Sequence, residues 1–374
     1  MKKVFELLNK KQVKGDVGIE IECEGEGMDA VDTALWKSED DGSLRGVYPE
    51  TRAEYILKKP IAVGDVRFAV GELQAILEEA TFKFSFRTSV HVHLNVQQLT
   101  YVQLLNLVYT YLLLEEPMMT FAGKERKGNH FCLRLNDAEG MLDLLNEMFR
   151  HGENTIRDNM QKDMYRYSAL NLEALGKYGS VEFRGMRGTM DVDVLETWCK
   201  AIVALRTYAE ELESPSVIFA EYAALEPLAF MQRVFGGVLA DKLKYPKVVK
   251  DIQRSFSLSL DLPYAYSAYV EEQARYAVEF KDDWKVGDIL SYDQAVEFNR
   301  RGGIVKDRMD GRYDVTRMAE KPPGQKAEKV AKVAVKKAKP IAADVPVGAG
   351  IIRGVGAAPA FNFDIPGIVE EVQW

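Results

Sequence analysis

The sequence predicts an α+β protein in which helices cover one face of an antiparallel β-sheet and leave the other face, a concave one, polar and catalytic. Three observations predict it. Four short segments alternate apolar and polar residues with period two, and the segments between them carry helical periodicity with caps. The polar positions of the alternating segments hold carboxylates, histidines and an arginine.

In chain order, the first strand is expected over 16–24. There Ile19, Ile21 and Cys23 share one face, and Glu20, Glu22 and Glu24 the other. A second strand over 53–58 sets Glu54 against Tyr55, and a short helix follows over about 65–80. Over 88–96 the valines and Leu94 oppose His91, His93 and Asn95. Thr100 with Gln103 then forms a capping box opening an apolar helix to about Glu116. A helix over 139–151 is stopped by Gly152. In the strand over 179–185, Val181 and Phe183 oppose Glu182 and Arg184. Asp193 with Glu196 opens the next helix, which runs to the stop at Ser214-Pro215. Residues 220–300 read as further helices punctuated by Pro227, Pro246 and Pro263.

Three regions follow: a functional domain over 1–215, a helical subdomain or cover over 216–319, and a linker with a C-terminal tail over 320–374. Residues 321–340 hold seven Lys and one Glu, then Gly, Ala and Pro dominate, a composition expected to form a flexible tail. Its last segment regains Phe361, Phe363, Ile365 and Trp374 and is a candidate for docking on a protein partner.

The chain has 374 residues, 47% of them hydrophobic, enough to fill such a core. Its 49 Lys and Arg against 57 Asp and Glu make it acidic, the more so outside the Lys-rich linker. An acidic body gives no general electrostatic reason to bind nucleic acid, whereas clustered carboxylates suit divalent cations. Cys23, Cys132 and Cys199 have no paired spacing, which argues against a disulfide framework and for a reducing cytoplasm. Met1-Lys-Lys-Val-Phe-Glu6 lacks the apolar stretch of a signal peptide, and polar residues interrupt the run Leu99 to Leu114, so no membrane association is expected.

If the strands share one sheet, Glu20, Glu22, Glu54, His91, His93, Glu182 and Arg184 gather on its polar face. Each piece alone reads as readily as a solvated strand face, a structural histidine or a cross-strand ion pair. Their conjunction points to an oxygen-rich site for Mg²⁺ or Mn²⁺. Arg126, Arg166, Arg184 and Arg187 are candidates for stabilising phosphate charge. A P-loop, a dinucleotide fingerprint and a Gly-x-Ser-x-Gly elbow are all missing.

Taken together, these pieces resemble the phage and bacterial amidoligase family, carboxylate-amine ligases related in fold to glutamine synthetase and gamma-glutamylcysteine ligase. The resemblance covers about residues 16–200. It rests on Gly18-x-Glu20-x-Glu22, on Asp41-Gly-Ser43 followed by Glu54-Tyr-Ile, and on Thr88-Ser-Val-His-Val-His93. It continues through Arg126 before Asn129-His-Phe-Cys132, Arg166-Tyr-Ser-Ala-Leu-Asn171, Val181-Glu-Phe-Arg184, Arg187-Gly-Thr189 and Trp198. The resemblance implies that Glu20, Glu22, Glu54, His91 and Glu182 ligate two or three Mg²⁺ ions. It implies His93, with Asn95 and Asn171, beside the nucleotide, and Arg184, Arg126, Arg166 and Arg187 around phosphate. The implied reaction joins a carboxylate and an amine, each on a small molecule, peptide or protein, through an acyl phosphate made from ATP. Two departures from the family pattern stand out: Glu50 competes with Glu54 for the metal role, and the expected proline comes late, at Pro60. The implied location is the cytoplasm, the host's if the chain is phage-encoded. A metal-dependent phosphohydrolase or nuclease and a catalytically inactive, virion-associated binding protein are the alternatives.

Overall fold

The computed structural model describes residues 1–45, 51–135, 137, 139–154, 156, 167–279, 284–300, 303–308 and 312–317. The alternation seen in the sequence becomes an antiparallel sheet built from β1 (Val17–Glu26), β2 (Trp36–Glu39), β3 (Arg52–Leu57), β4 (Thr81–Phe82), β5 (Ser89–Asn95), β6 (Leu170–Asn171) and β7 (Ser180–Arg187). Its order is β2-β3-β1-β5-β7-β6, with β4 paired to the far end of β1. The four expected strands are present, and β2, β4 and β6 join them; at two to four residues each, these are too short to show a period.

Apolar positions of the central strands face one way. Ile19, Ile21 and Cys23 of β1, Tyr55 of β3, Val90, Val92 and Leu94 of β5, and Val181 and Phe183 of β7 are fully buried. Helices α2 (Val66–Ile76), α3 (Tyr101–Ala122) and α6 (Val192–Glu210) make the opposing layer, with α3 against β7 and α6 against β5. The short helices α1 (Val4–Leu7), α4 (Glu139–His151) and α5 (Glu173–Tyr178) complete this part of the chain. Particular contacts fix the layers: Trp36 Nε1 of β2 donates to the Ala69 carbonyl in α2 at 2.9 Å, and Tyr111 of α3 meets Phe183 of β7 edge to face.

Helix boundaries follow the capping chemistry, with two differences from expectation. The Thr100–Gln103 box forms as expected: Gln103 N donates to Thr100 Oγ1 at 3.2 Å and Thr100 N to Gln103 Oε1 at 2.8 Å. Yet α3 runs on past Glu116 and through Pro117 to Ala122, because Met118, Met119 and Ala122 are buried and tertiary packing overrides the local proline cost. For α6 the cap is Asp191, not Asp193: Asp191 Oδ1 accepts from Asp193 N and Val194 N.

Further helices α7 (Pro215–Ala224), α8 (Pro227–Phe235), α9 (Gly237–Lys242), α10 (Val248–Leu258) and α11 (Asp261–Glu279) extend the helical side, α7 and α10 packing on α3 and α11 on α4. Pro215, read as a stop, and Pro227, read as punctuation between helices, each open a helix at its first turn. The described residues divide into two compact units, one before and one from Trp284. In the second, β8 (Ile289–Ser291), α12 (Tyr292–Arg300), β9 (Ile304–Asp307) and β10 (Arg312–Arg317) form an antiparallel sheet of order β8-β10-β9 with one helix. Trp284, Leu290, Ala295, Phe298 and Val315 are the buried hydrophobic residues among those described there. The stretch 220–300 is thus not helical throughout, since Ile289–Ser291 pairs with β10. Among the described residues no helix is long and apolar enough to cross a membrane. The tail beyond residue 317 lies outside the described residues.

Candidate active site on the polar face of the sheet

Register alone assembles the site. β1 lies between β3 and β5, so Glu20 is paired with Ile56 on one side and His91 on the other, and Glu22 stands opposite Glu54. His93 pairs with Gly18 of β1 and with Glu182 of β7, and Asn171 of β6 pairs with Glu182 in turn. Residues directly opposite across strands share a face, so alternate positions of five strands converge on the polar side. Where β7 passes His91 it carries one extra residue, as pairing steps from Val92 with Phe183 to Val90 with Met186. This bulge lets Glu182 and Arg184 share the polar face while Met186 returns to the core. A side chain at Gly185 would run into Met119 Sδ.

The side chains form one interlocked group. His91 Nδ1 lies 3.5 Å from Glu20 Oε2 and 3.4 Å from Glu182 Oε1, and His93 Nε2 lies 3.3 Å from Glu20 Oε1. Ser89 Oγ contacts His91 Nε2 at 2.8 Å and donates to Glu22. Ser180 Oγ stands 3.1 Å from His93 Nδ1, and Asn171 Nδ2 donates to Glu182 Oε2 at 2.7 Å. Arg184 is paired with the other oxygen of Glu182. Glu22, His91 and Glu182 are each at most 5% exposed, so these charges sit largely out of water.

Electrostatics divides the carboxylates. Burial disfavours the charged form of Glu20, but hydrogen bonds from His91 and His93 outweigh it and hold this carboxyl well below the usual carboxylate range. Glu182 is likewise held low, against burial, by Arg184 and then by His91 and His93. Burial would lower the His93 pKa, yet its hydrogen bond with Glu20 and the charge of Glu182 raise it. Glu54 has like charges as neighbours: burial first, then Glu20 and Glu22, push it up to about 8. The face therefore carries negative charge that its own cations do not fully balance.

Among the described residues, two groups of ligand atoms lie close enough for a cation, each spanning at most 4.8 Å: Glu20 with Glu54 and His91, and Glu20 with His93 and Glu182. Glu20 belongs to both. His93, expected beside the nucleotide, stands in the second group, and Glu22, expected as a ligand, stands just outside both, held by Ser89. The carboxylate and imidazole donor set fits Mg²⁺ or Mn²⁺.

The arginines separate into two kinds. Arg184 faces the carboxylates, and its Nε is buried without a hydrogen-bond partner. Arg126, expected to contact phosphate, is 1% exposed and turns its guanidinium to backbone, Nη2 donating to the Arg184 carbonyl at 2.9 Å and Nη1 to the Phe86 carbonyl at 3.4 Å. Arg187 caps the end of α3, donating to the carbonyls of Phe121 and Ala122 at 3.1 Å. Asn95 spends its amide on the Val13 and Gly15 carbonyls at the rim. Arg166 and Glu50 lie outside the described residues.

A cleft of about 710 Å³ opens at the Asn95 end of β5. Glu20, Glu54 and His93 line its inner wall, and Lys37, Lys58, Lys59 and Lys177 its rim. Tyr178, 49% exposed, presents its ring beside His93, the two in edge contact with centroids 5.3 Å apart. Gly179 makes this turn possible: at φ +72° it ends α5 in the left-handed region and delivers Ser180 to the start of β7. The lysine rim was missed in the sequence because its residues come from three separate stretches of the chain. Ser89 was missed too, although the alternation through His91, His93 and Asn95 extends back to it.

A family profile described as "Putative amidoligase enzyme" matches residues 32–205. The match contains Glu54, His91, His93, Glu182 and Arg184 and begins after Glu20 and Glu22. None of the curated proteins matches the chain.

Proposed function

We propose that the protein joins a carboxylate to an amine with cleavage of ATP, using Mg²⁺ or Mn²⁺ on the polar face of a glutamine synthetase-like sheet; the match of residues 32–205 to a family profile named for ligase chemistry supports this reading. The observation that carries this is the pair of ligand groups sharing Glu20 beside a lysine-rimmed cleft. The cleft is of a size that takes a nucleotide. Lys59 and Lys177 supply cations for its phosphates, Lys58 being paired with Asp32, and the exposed Tyr178 ring offers a surface for its base.

Glu20, Glu54, His91, His93 and Glu182 would hold the cations, which neutralise charge on the transferring phosphoryl group. Arg184 adds a fixed guanidinium at the same place, with an unspent donor on Nε. Ser89 and Ser180 orient the two imidazoles. In the reaction a carboxylate oxygen forms a bond to the γ-phosphorus as the bond to the β,γ-bridging oxygen breaks and ADP leaves. The amine nitrogen then forms a bond to the acyl carbon, phosphate departs, and the nitrogen releases a proton.

The test is direct. The purified full chain is incubated with ATP, Mg²⁺, a panel of acids, and hydroxylamine as the amine. Hydroxamate and ADP are expected in equal amounts, only with divalent cation, and only traces of either from Glu182→Gln. Undiminished turnover in that variant, or ATP-independent cleavage of a phosphoester, would count against ligase chemistry.

A further inference from the structure

The transferring phosphoryl group is approached from two sides in line: the attacking oxygen enters opposite the leaving one. With the nucleotide in the lysine-rimmed cleft, ADP leaves toward the Asn95 end of β5. The acid must then reach the γ-phosphate from the Ser89 end of the same strand, which lies about 13 Å from His93 by strand rise.

The chain there is built differently from the lysine rim. Residues 85–88 form a tight turn in which Ser85 N donates to Thr88 Oγ1 at 2.8 Å and Arg87 N to Ser85 Oγ at 3.1 Å. Its carbonyl at Phe86 is pinned from behind by Asn129 Nδ2 at 2.7 Å and by Arg126. The turn presents two side chains. Phe86 is 41% exposed, and its ring lies between two guanidinium groups, Arg45 at 4.7 Å and Arg87 at 5.5 Å from the centroid. Arg87 also stands 5.7 Å from the Phe131 ring, and its Nε is buried with no hydrogen-bond partner. Arg45 belongs to the same end, since its backbone N–H donates to Glu24 of β1 at 2.8 Å. With Arg87 Nη1 tied to the Ser43 carbonyl at 2.8 Å, its unspent, buried Nε beside the exposed Phe86 ring and the half-buried Phe131 ring suits a ligand with an anionic oxygen and an apolar body.

We infer that Arg45, Arg87, Phe86 and Phe131 form the acid-substrate subsite, and that the acid it takes is a carboxylate borne next to an aromatic or bulky apolar group, as at a peptide C-terminus. This assignment rests on the ligase reading for the direction of attack. The guanidinium groups steer and orient the carboxylate, and the rings hold the group beside it. Arg126 and Asn129 are positioning residues that act through the Phe86 carbonyl.

The probes are N-acetylphenylalanine, N-acetylglycine and N-acetylphenylalaninamide with the full-length protein. In the hydroxylamine assay N-acetylphenylalanine is expected to outperform N-acetylglycine, with the amide inert. Arg87→Ala should raise KM for N-acetylphenylalanine about tenfold or more while KM for ATP stays fixed. Arg87→Lys should restore part of that loss, and Phe86→Ala should erase the preference over N-acetylglycine. Lys59→Ala should do the reverse of Arg87→Ala, raising KM for ATP alone. Turnover of acids with an unchanged acid KM in Arg87→Ala, or equal use of N-acetylglycine, overturns the subsite and leaves the ligase reading standing. If instead no acid gives hydroxamate and a non-hydrolysable ATP analogue with Mg²⁺ does not bind, the ligase reading fails. Calorimetry with N-acetylphenylalanine alone then decides the subsite: binding lost in Arg87→Ala upholds it, and absence of binding overturns it.

Discussion

Glu20 and Ile21 are consecutive residues of β1, and they belong to surfaces governed by different physics. Ile21 is fully buried among Tyr55, Val90 and the helices, where each apolar side chain adds about 1.5–3 kcal/mol by leaving water. Glu20 is charged, half-buried, and held by His91 and His93, whose attraction outweighs the cost of its burial. The apolar face sets the register because a one-residue slip would turn every buried side chain into water. The polar face inherits that register, which brings repelling carboxylates together at positions they would not choose. Stability and chemistry are thus separated across the thickness of one sheet.

Substituting the two neighbours is the strongest way to break that separation. Glu20→Gln keeps the shape and removes the charge common to both ligand groups, so cation-dependent ATP turnover should fall by about a thousandfold or more. Its urea midpoint should fall, because His91 and His93 hold the parent charge favourably, but by less than in the apolar-face variant. Ile21→Ala should instead cost about 2–5 kcal/mol in urea denaturation, while the folded fraction retains its dependence on Mg²⁺. A large stability loss from the first, or lost cation dependence in the folded fraction of the second, would mean that the two faces are not independent.

A carboxylate on the helical side sharpens the contrast. Glu115 of α3 is buried, accepts from Leu135 N at 3.0 Å and 3.2 Å, and has its pKa pushed up to about 8, burial outweighing that hydrogen bond and the nearby Arg134. Histidines keep Glu20 charged, whereas the apolar layer keeps Glu115 protonated. Its folded pKa lies above the unfolded value, so the folded state holds the extra proton between about 4.5 and about 8. The stability it contributes is fully present below that window and is lost as pH rises through it. Urea titrations should show stability falling by about 1.4 kcal/mol per pH unit inside the window from this group. Glu115→Gln should flatten that slope, and an unchanged slope would assign the pH dependence elsewhere.

The same division explains what the sequence made legible. Period-two alternation showed which residues of 16–24, 53–58, 88–96 and 179–185 face the core and which face away, because burial acts on every strand residue alike. It did not show which polar residues are neighbours, since pairing depends on strand order and on the bulge at Arg184 and Gly185. Arginines were legible as cations but not in direction: Arg126 and Arg187 serve backbone carbonyls that exist only in the folded chain. β6, with only Leu170 and Asn171, was invisible for want of length, yet it puts Asn171 on Glu182. The lysine rim joins Lys37 of β2, Lys58 and Lys59 after β3, and Lys177 of α5, an association that no local pattern encodes.

The smallest expected effect tests the separation from the helical side. Asp191 Oδ1 caps α6 by accepting from Asp193 N at 2.9 Å and Val194 N at 3.1 Å, two groups that the helix itself cannot satisfy. Asp191→Ala should cost about 1 kcal/mol, and Asp191→Asn, which keeps an accepting oxygen, much less. Because α6 packs on the apolar side of β5, neither change should alter KM for ATP or for the acid in the folded enzyme. Parallel thermal melts and hydroxamate kinetics on the two variants would check this. A shift in KM from so distant and exposed a cap would mean that tilting α6 moves His91 and His93 through β5, and that the two faces of the sheet are mechanically coupled.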